Sequence, residues 1–165
     1  MGGNSAETAV TFRQAQRKDV GVILQMIRAL AAYERLEDQV TATEAVLEKW
    51  LFDKKKARVL FAMAGGREAG FAVYFYNFST FLGRAGIYLE DLFVLPEFRG
   101  RGIGHAILKR LAEIAQEEGC GRLEWTCLDW NEPSIRFYLS RGARPMSDWT
   151  NYRVEGAALR KLAQE

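Results

Sequence analysis

Residues 90–104 read Glu90-Asp-Leu-Phe-Val-Leu-Pro-Glu-Phe-Arg-Gly-Arg-Gly-Ile-Gly104, and His105-Ala-Ile-Leu-Lys-Arg-Leu-Ala-Glu-Ile-Ala115 follows with helical periodicity. The stretch predicts a strand, a turn at Pro96, a loop with three glycines in five residues and an amphipathic helix. Glycine leaves the backbone bare against a ligand, and the first turn of a helix presents free N–H groups with partial positive charge. The local chemistry therefore predicts an anion cradle at a strand-to-helix turn.

The composition is that of an ordinary globular domain. The 165 residues are 48% hydrophobic and 27% charged, with a formal net charge of +2. No strong basic field favours nucleic acid as a partner, and no apolar run approaches the ~18 residues that span a bilayer. Cys120 and Cys127 have neither zinc-site nor disulfide-framework spacing, which suits a reducing compartment. We therefore expect a cytoplasmic single domain over residues 10–165 after a flexible leader over residues 1–9, with no membrane, nucleic acid or metal partner.

Periodicity along the chain predicts strands and helices in alternation around one hairpin. Alternating or continuous apolar runs predict strands, and apolar residues recurring at three and four positions predict helices. The Gly65-Gly66 pair predicts a hairpin turn. The predicted strands cover residues 10–13, 58–64, 68–76, 85–95 and 122–128, with two short ones around 143–146 and 151–154. The predicted helices cover residues 20–33, 45–52 and 103–118, the stretch from 129–133 to about 140, and the last ten residues. This order predicts a mixed α/β sheet.

The glycine loop fails two nucleotide-binding patterns. A Walker loop needs Lys-Ser/Thr after its last glycine, and His105 follows Gly104 instead. A dinucleotide fingerprint counted from Gly100 needs a third glycine where His105 stands. The loop does match Arg/Gln-x-x-Gly-x-Gly/Ala, as Arg99-Gly-Arg-Gly102-Ile-Gly104. It thereby resembles the acyl-CoA pyrophosphate loop of the GNAT superfamily of N-acetyltransferases.

Other stretches extend this resemblance over about residues 10 to 155. Asn131-Glu-Pro-Ser134-Ile-Arg-Phe-Tyr138-Leu-Ser-Arg-Gly142 resembles the segment that borders the pantetheine and sulfur of the coenzyme. Leu30-Ala-Ala-Tyr-Glu34, Tyr88-Leu-Glu-Asp-Leu-Phe-Val94 and Trp130-Asn-Glu-Pro-Ser134 resemble the spermidine/spermine and thialysine N-acetyltransferase family. The resemblance implies the α/β GNAT fold. This is a mixed, mostly antiparallel twisted sheet of about six to seven strands, splayed at the coenzyme site and flanked by about four helices.

The resemblance also implies which residues bind acetyl-CoA, the co-substrate. Backbone groups of the strand would pair with the pantetheine arm like an added strand, and the glycine loop would cradle the pyrophosphate. The alternative for the loop is a turn that only connects strand to helix. The implied coenzyme-binding residues are Leu92, Phe93, Val94, Arg99, Gly100, Arg101, Gly102, Ile103, Gly104, Asn131, Ser134 and Tyr138.

Acetyl transfer from a thioester requires that the amine lose a proton and that the departing thiolate gain one. Tyr138 is the implied general acid, because a phenol of ordinary pKa ~10 can protonate a thiolate whose thiol has a pKa near ~8.5. Glu90 is implied to bind the amine and, directly or through water, to take its proton. Asp91 should face away from Glu90 unless a bulge intervenes, as one does near this point in the family. The alternatives are a surface tyrosine and an edge-strand carboxylate paired with an arginine.

The acceptor side is implied to lie after the first helix. Tyr33, Glu34, Glu90 and Asp91 are the implied substrate-binding residues, and negative charge there would attract a cationic amine. A solvated acidic helix end is the alternative for Tyr33 and Glu34. The polyamine enzymes carry an acidic pair shortly before their last strand, where this chain has Trp149-Thr150. That departure leaves room for a shorter amine, such as a lysine analogue.

The main hypothesis is an N-acetyltransferase that passes the acetyl group of acetyl-CoA directly to a primary amine of a small polyamine- or thialysine-like substrate. Two alternatives stay open. One is an acetyltransferase acting on a protein or peptide amine. The other is a non-catalytic acyl-CoA-binding sensor, which would need the loop but neither Tyr138 nor Glu90. Because dimers are common in the resembled family, a homodimer is also implied, with Tyr74-Phe-Tyr-Asn-Phe78 as a candidate interface.

Overall fold

The computed structural model describes residues 9–165, and their strands form one five-stranded sheet in chain order. The first three neighbouring pairs are antiparallel, and the last pair is parallel. The strands are β1 (Thr11–Gln14), β2 (Arg58–Ala64), β3 (Arg67–Ser79), β4 (Arg84–Val94) and β5 (Leu123–Trp125). The helices are α1 (Val20–Glu34), α2 (Glu44–Glu48), α3 (Ile103–Glu117), α4 (Glu132–Leu139) and α5 (Gly156–Leu162). The predicted α/β class and the mostly antiparallel mixed sheet are confirmed.

Two compact units divide the described chain after Thr126. The first unit contains the whole sheet with α1, α2 and α3, and the second contains α4 and α5. Among the described residues, no helix is long and apolar enough to cross a membrane. The leader predicted over residues 1–9 lies outside the described residues except for Ala9.

An apolar stripe of α1 covers one face of the sheet. Phe61 and Phe71 are direct partners in the β2–β3 ladder and therefore point to the same face. Both are fully buried, and burying a side chain of this size contributes about 1.5–3 kcal/mol. The cluster under α1 consists of Ile23, Met26 and Leu30 from the helix and Val59, Phe61, Phe71 and Phe93 from the strands.

The buried side of α3 covers the opposite face. Tyr74 lies three residues after Phe71 in β3, so its side chain points the other way. Tyr74 is fully buried, and so is Leu89, its partner in β4. The helix α3 contacts β3, β4 and β5, and its buried residues do not belong to the cluster under α1. The sheet is therefore covered on both faces where β3 and β4 meet.

The prediction of six to seven strands is wrong for the described chain, which has five. The stretches 143–146 and 151–154, predicted as strands, have no regular structure. Pro145 brings no N–H to a ladder, and the Trp149 N–H donates to the Met146 carbonyl to close a turn. An alternating pattern does not supply the neighbouring strand that a sheet requires. The predicted helical tail is confirmed as α5.

An ion pair ties β1 to the start of α1. Asp19 is 6% exposed, and its Oδ2 atom lies 2.7 Å from Arg13 Nη1 and accepts the Gln16 N–H at 2.7 Å. Arg13 also donates to Glu68 at 2.6 Å. The hydrogen bond from Arg13 is the main reason that the pKa of Asp19 lies below its ordinary value, although burial opposes the shift.

We expect Asp19→Asn to lower the free energy of unfolding at neutral pH by about 2 kcal/mol, because Arg13 loses a charged partner. The folded pKa of Asp19 is lowered, so its stabilisation is complete above the ordinary value near ~3.9 and is lost as the pH falls through the folded value. Urea melts should therefore show a constant deficit from pH 7 to pH 5 that shrinks in stronger acid. Glu97→Gln is the control, since this exposed carboxylate pairs with exposed Arg67 at 3.4 Å. Equal losses in both variants would contradict the assignment.

Candidate active site

One extra residue in β4 divides that strand into two halves. Tyr74 lies opposite Leu89 and Val73 lies opposite Asp91, so Glu90 has no partner in β3. A bulge of this kind shifts the alternation of the strand by one residue. Leu89 therefore lies on the α3 face with Tyr74, whereas Asp91 lies on the α1 face with Val73. The bulge that the resemblance implied near the carboxylate pair is present at Glu90.

The pairing of β4 with β5 ends just before this bulge. The ladder covers only Ile87–Leu89 opposite Leu123–Trp125. The N–H of Ile87 donates to the Arg122 carbonyl at 3.0 Å, so the backbone N–H of Ile87 points toward β5. From Glu90 onward, β4 has a strand neighbour on the β3 side alone among the described strands. The sheet therefore offers an open strand edge beyond the bulge.

The direction of the backbone groups along this edge follows from one hydrogen bond. The N–H of Leu95 donates to the Ala69 carbonyl at 2.9 Å, toward β3. Because successive residues alternate in direction, Leu92 and Val94 turn their N–H and C=O groups away from β3. An extended chain lying along β4 would meet these groups in the geometry of an added strand.

The glycine loop leads from β4 into α3 through a 3-10 turn at Pro96–Phe98. Gly100 and Gly102 both have φ of 74°, a conformation that glycine adopts without strain. Gly102 precedes α3, and no side chain caps the helix there. The first N–H that bonds within the helix belongs to Ala106 and donates to the Gly102 carbonyl at 2.9 Å. The first-turn N–H groups and the open space beside both glycines fit a pyrophosphate.

Beside the bulge, Asp91 feels the negative charges of two other carboxylates, Glu90 and Glu34. The pKa of Asp91 is raised to about 6, mainly by burial and then by the negative charges of Glu90 and Glu34. Burial also raises the pKa of Glu34, the last residue of α1. Of the described residues, no group of His, Cys, Asp and Glu is arranged to hold a metal ion. These carboxylates have the charge to attract a cation, and Asp91 has a pKa close to neutral pH.

The burial of Asp91 should make the free energy of unfolding depend on pH. Because the folded pKa of Asp91 is raised, ionisation of its carboxylate destabilises the protein as the pH rises from ~4 to ~6, and the full cost of about 3 kcal/mol remains above that. We expect Asp91→Asn to raise the free energy of unfolding at pH 8 by about that amount and to have little effect at pH 4. Urea denaturation at both values measures this. Exposed Asp38→Asn is the control, and equal destabilisation by Asp91→Asn at both pH values would contradict the account.

The side chain of Arg99 leaves the loop and turns to the α1 face. Its guanidinium carbon lies 5.0 Å from the ring centroid of Tyr33 and 5.2 Å from that of Phe93. Its Nε–H donates to the Val94 carbonyl at 2.9 Å. These contacts were not predicted from the sequence, which placed Arg99 only in the coenzyme cradle. They connect the loop with Tyr33, a predicted acceptor-side residue in the last turn of α1.

The second unit carries the remaining predicted residues on or beside α4. Asn131 is 5% exposed, and its Oδ1 accepts the Ser134 N–H at 3.4 Å, which caps the helix. Pro133 occupies the first turn, where a missing N–H is tolerated. Tyr138 lies in the last turn, with its ring centroid 5.3 Å from that of Phe137. Asn131 thus has a structural role within α4, and the catalytic role of Tyr138 stays a prediction.

The sequence is similar to a known protein family and to individual proteins along most of its length. Residues 23–143 match the family model of the acetyltransferase (GNAT) family. The thialysine N-epsilon-acetyltransferase of Sus scrofa is 41% identical over 167 residues, covering 94% of this chain and 98% of that protein. The spermidine/spermine N(1)-acetyltransferase-like protein 1 of Homo sapiens is 32% identical over 165 residues, covering 93% of this chain and 24% of that longer protein.

Solved structures share the fold. An integron cassette protein from the mobile metagenome of V. cholerae has a TM-score of 0.77 at 30% identity, covering 94% of this chain and 98% of that one. An aminoglycoside acetyltransferase from an uncultured soil sample, solved with sisomicin, has a TM-score of 0.74. At 16% identity, the second similarity shows the fold alone.

Proposed function

The chain belongs to the acetyltransferase (GNAT) family and is an acetyl-CoA-dependent N-acetyltransferase, and from this premise we propose that it acetylates a primary amine of a small thialysine- or polyamine-like molecule by direct transfer. The observation that carries the proposal is the group of three carboxylates beside the open edge of β4. A cationic amine held by them would stand next to an acyl donor lying along that edge. Positioning of this kind can itself lower a barrier by several kcal/mol.

The donor side of the site is built from backbone groups. We assign the N–H and C=O groups of Leu92 and the N–H of Val94 to the pantetheine arm, because they point away from β3 along an edge that β5 leaves open, whereas the Val94 carbonyl accepts the Arg99 Nε–H. We assign the loop from Arg99 to Gly104, with the first turn of α3, to the pyrophosphate. Acetyl-CoA supplies the activated acetyl group as a thioester.

The proton transfers are assigned to side chains. Glu90 takes a proton from the bound ammonium, directly or through water, so that the amine nitrogen has a lone pair. The amine nitrogen then bonds to the thioester carbonyl carbon while the carbon–sulfur bond breaks, and Tyr138 gives its phenolic proton to the sulfur. The nitrogen loses its second proton to water as the neutral amide forms, and water returns a proton to the Tyr138 phenolate and takes the one held by Glu90. Glu34 and Asp91 complete the negative field around the amine, with Tyr33 at its border.

We also propose that residues 10–165 act as one catalytic domain in a cytoplasmic homodimer. The aromatic stretch from Tyr74 to Phe78, suggested for the dimer interface, contains both buried and exposed residues. Tyr74 is fully buried within its own unit, so it has no surface to offer, whereas Phe78 is 62% exposed. Phe78 and its neighbour Phe81, which is 97% exposed, are the stronger choice for a contact between copies.

The acceptor class can be tested by the order of reactivity among amines. The carboxylates are concentrated at one bulge, and Trp149-Thr150 replaces the acidic pair that the polyamine enzymes carry. We therefore expect kcat/KM to be at least ~10-fold higher for thialysine than for spermine, a difference of about 1.4 kcal/mol in transition-state binding. A thiol-release assay with thialysine, ornithine, putrescine, spermine and a lysine-containing peptide gives the order. A preference for spermine or for the peptide would reject the proposed acceptor.

A further inference from the structure

Arg99 joins the glycine loop and the neighbouring end of β4 to the last turn of α1, which lies far earlier in the sequence. Its backbone begins the glycine loop, its Nε–H donates to the Val94 carbonyl, and its guanidinium lies against the rings of Tyr33 and Phe93. A cation placed within about 6 Å of a ring centroid is attracted by the electrons of the ring. One side chain therefore contacts the loop, the last residue of β4 and the last turn of α1.

The end of α1 is a helix terminus closed by backbone hydrogen bonds, among them one from the Leu36 N–H to the Ala31 carbonyl at 2.9 Å. Arg35 follows the helix with φ of 60°, and Tyr33 is 38% exposed. Glu34 stands between them, and its negative charge helps to raise the pKa of Asp91. A contact that fixes the Tyr33 ring also limits the freedom of the backbone that carries Glu34. Arg99 is therefore placed to influence a predicted amine-binding residue that it does not itself contact.

The second arginine of the loop offers a matched comparison. Arg101 has its guanidinium carbon 5.6 Å from the ring centroid of Phe98, which belongs to the turn just before the loop. Its contact with an aromatic ring is thus local, whereas that of Arg99 reaches α1. Both arginines carry the same charge in the same loop, so their variants separate a general effect of charge from a specific effect of the contact with Tyr33.

We propose that Arg99 is a positioning residue that couples the coenzyme loop to the amine site. When coenzyme occupies the loop, Arg99 is held in place, Tyr33 is held against it, and the end of α1 is fixed with Glu34 facing the amine. By thermodynamic linkage, coenzyme then strengthens amine binding and amine strengthens coenzyme binding by the same factor. The amine half of this inference rests on the proposed function, whereas the link from loop to helix does not.

Hydrogen exchange with CoA as the probe tests the link from loop to helix. In the wild-type protein, we expect saturating CoA to slow amide exchange both in residues 103–117 and in residues 33–39. Arg99→Lys keeps the charge but loses the planar guanidinium and its Nε–H, so protection should persist in the first segment and vanish in the second. Arg101→Lys, studied at a CoA concentration that saturates this variant, should retain protection of both segments. Protection of residues 33–39 in Arg99→Lys equal to that in the wild type would overturn the proposal.

Variants of Tyr33 test the other partner of the contact. Tyr33→Phe keeps a ring for the guanidinium and should retain the CoA-induced protection of residues 33–39, whereas Tyr33→Leu should lose it. CoA protection of residues 103–117 in each variant shows that the loop is folded and occupied. Loss of protection in Tyr33→Phe as well would assign the effect to the hydroxyl and overturn the stacking account.

Steady-state kinetics test the amine half. At saturating acetyl-CoA, Arg99→Lys and Tyr33→Leu should each raise the KM of the amine about 3- to 10-fold, the size of one lost cation–aromatic contact. The double variant should be no worse than the poorer single variant, because both changes remove the same contact. If the double variant instead raises the KM of the amine by the product of the two single fold-changes, the proposed coupling is overturned. A wild-type protein that acetylates no amine would reject the proposed function, and the exchange experiment would still decide the link from loop to helix.

Discussion

Tyr138→Phe should reduce kcat for amine acetylation by about 10²- to 10³-fold, which is the usual contribution of a positioned general acid. The variant removes one oxygen and leaves the ring beside Phe137, so α4 has no reason to unfold. Without the phenol, the sulfur must leave as an unprotonated thiolate or take its proton from water. The dissociation constant of CoA, measured by calorimetry, should change by less than about twofold, since the lost interaction acts in the transition state.

A second tyrosine in the same unit supplies the control. Tyr152 is 90% exposed and lies outside α4, so Tyr152→Phe should leave kcat unchanged. The two substitutions are chemically identical and differ only in place. If Tyr138→Phe retains the wild-type kcat, Tyr138 is not the acid. If it weakens CoA binding in proportion to the loss of turnover, Tyr138 is a binding residue.

Glu90→Gln should lower kcat/KM for the amine by about 10²-fold or more at neutral pH, because the amide has nearly the shape of the carboxylate but neither its charge nor its basicity. Glu90 is the unpaired bulge residue of β4, and its side chain is exposed. The fold should therefore tolerate the change. The deficit should become smaller as the pH rises toward the pKa of the free amine, because more of the substrate then arrives already deprotonated.

The pH dependence separates proton transfer from simple attraction. Initial rates from pH 6.5 to 9.5 at low amine concentration measure kcat/KM for both proteins. Glu97→Gln serves as the control, since Glu97 lies in the 3-10 turn after β4 and pairs with Arg67 at the surface. A deficit of the same size at every pH would mean that Glu90 only attracts the cation. A variant as active as the wild type would remove Glu90 from the site.

The central part of the fold was predictable because its signals are local. The apolar strand, the glycines that adopt positive φ and the helical spacing that begins at Ile103 all lie within about thirty consecutive residues. The strands expected around 143–146 and 151–154 failed for the opposite reason. A strand exists only when a neighbouring edge accepts it, and that partner is not written into the segment itself. The turn that Trp149 closes with Met146 takes its place.

The site was predictable as a set of residue types and much less so as an arrangement. Glu90 and Asp91 stood out because adjacent carboxylates are unusual in an apolar strand. That Glu90 forms the bulge and Asp91 lies on the α1 face depends on the β3–β4 register. The repulsion between Asp91 and Glu34 depends on how α1 packs. The contact of Arg99 with Tyr33 joins two residues of the first unit that are far apart in sequence. No local pattern carries information of that kind.

The most direct test of acetyl transfer at β4 is a single incubation of the purified protein with acetyl-CoA and thialysine. Free CoA thiol is followed by a colour reaction, and the amine is followed by mass spectrometry. The account predicts that thiol and N-acetylated amine appear in equal amounts, and only when protein and both substrates are present. Tight binding of acetyl-CoA with no acetylated amine, for thialysine and for every other amine offered, would contradict it and would favour a coenzyme sensor.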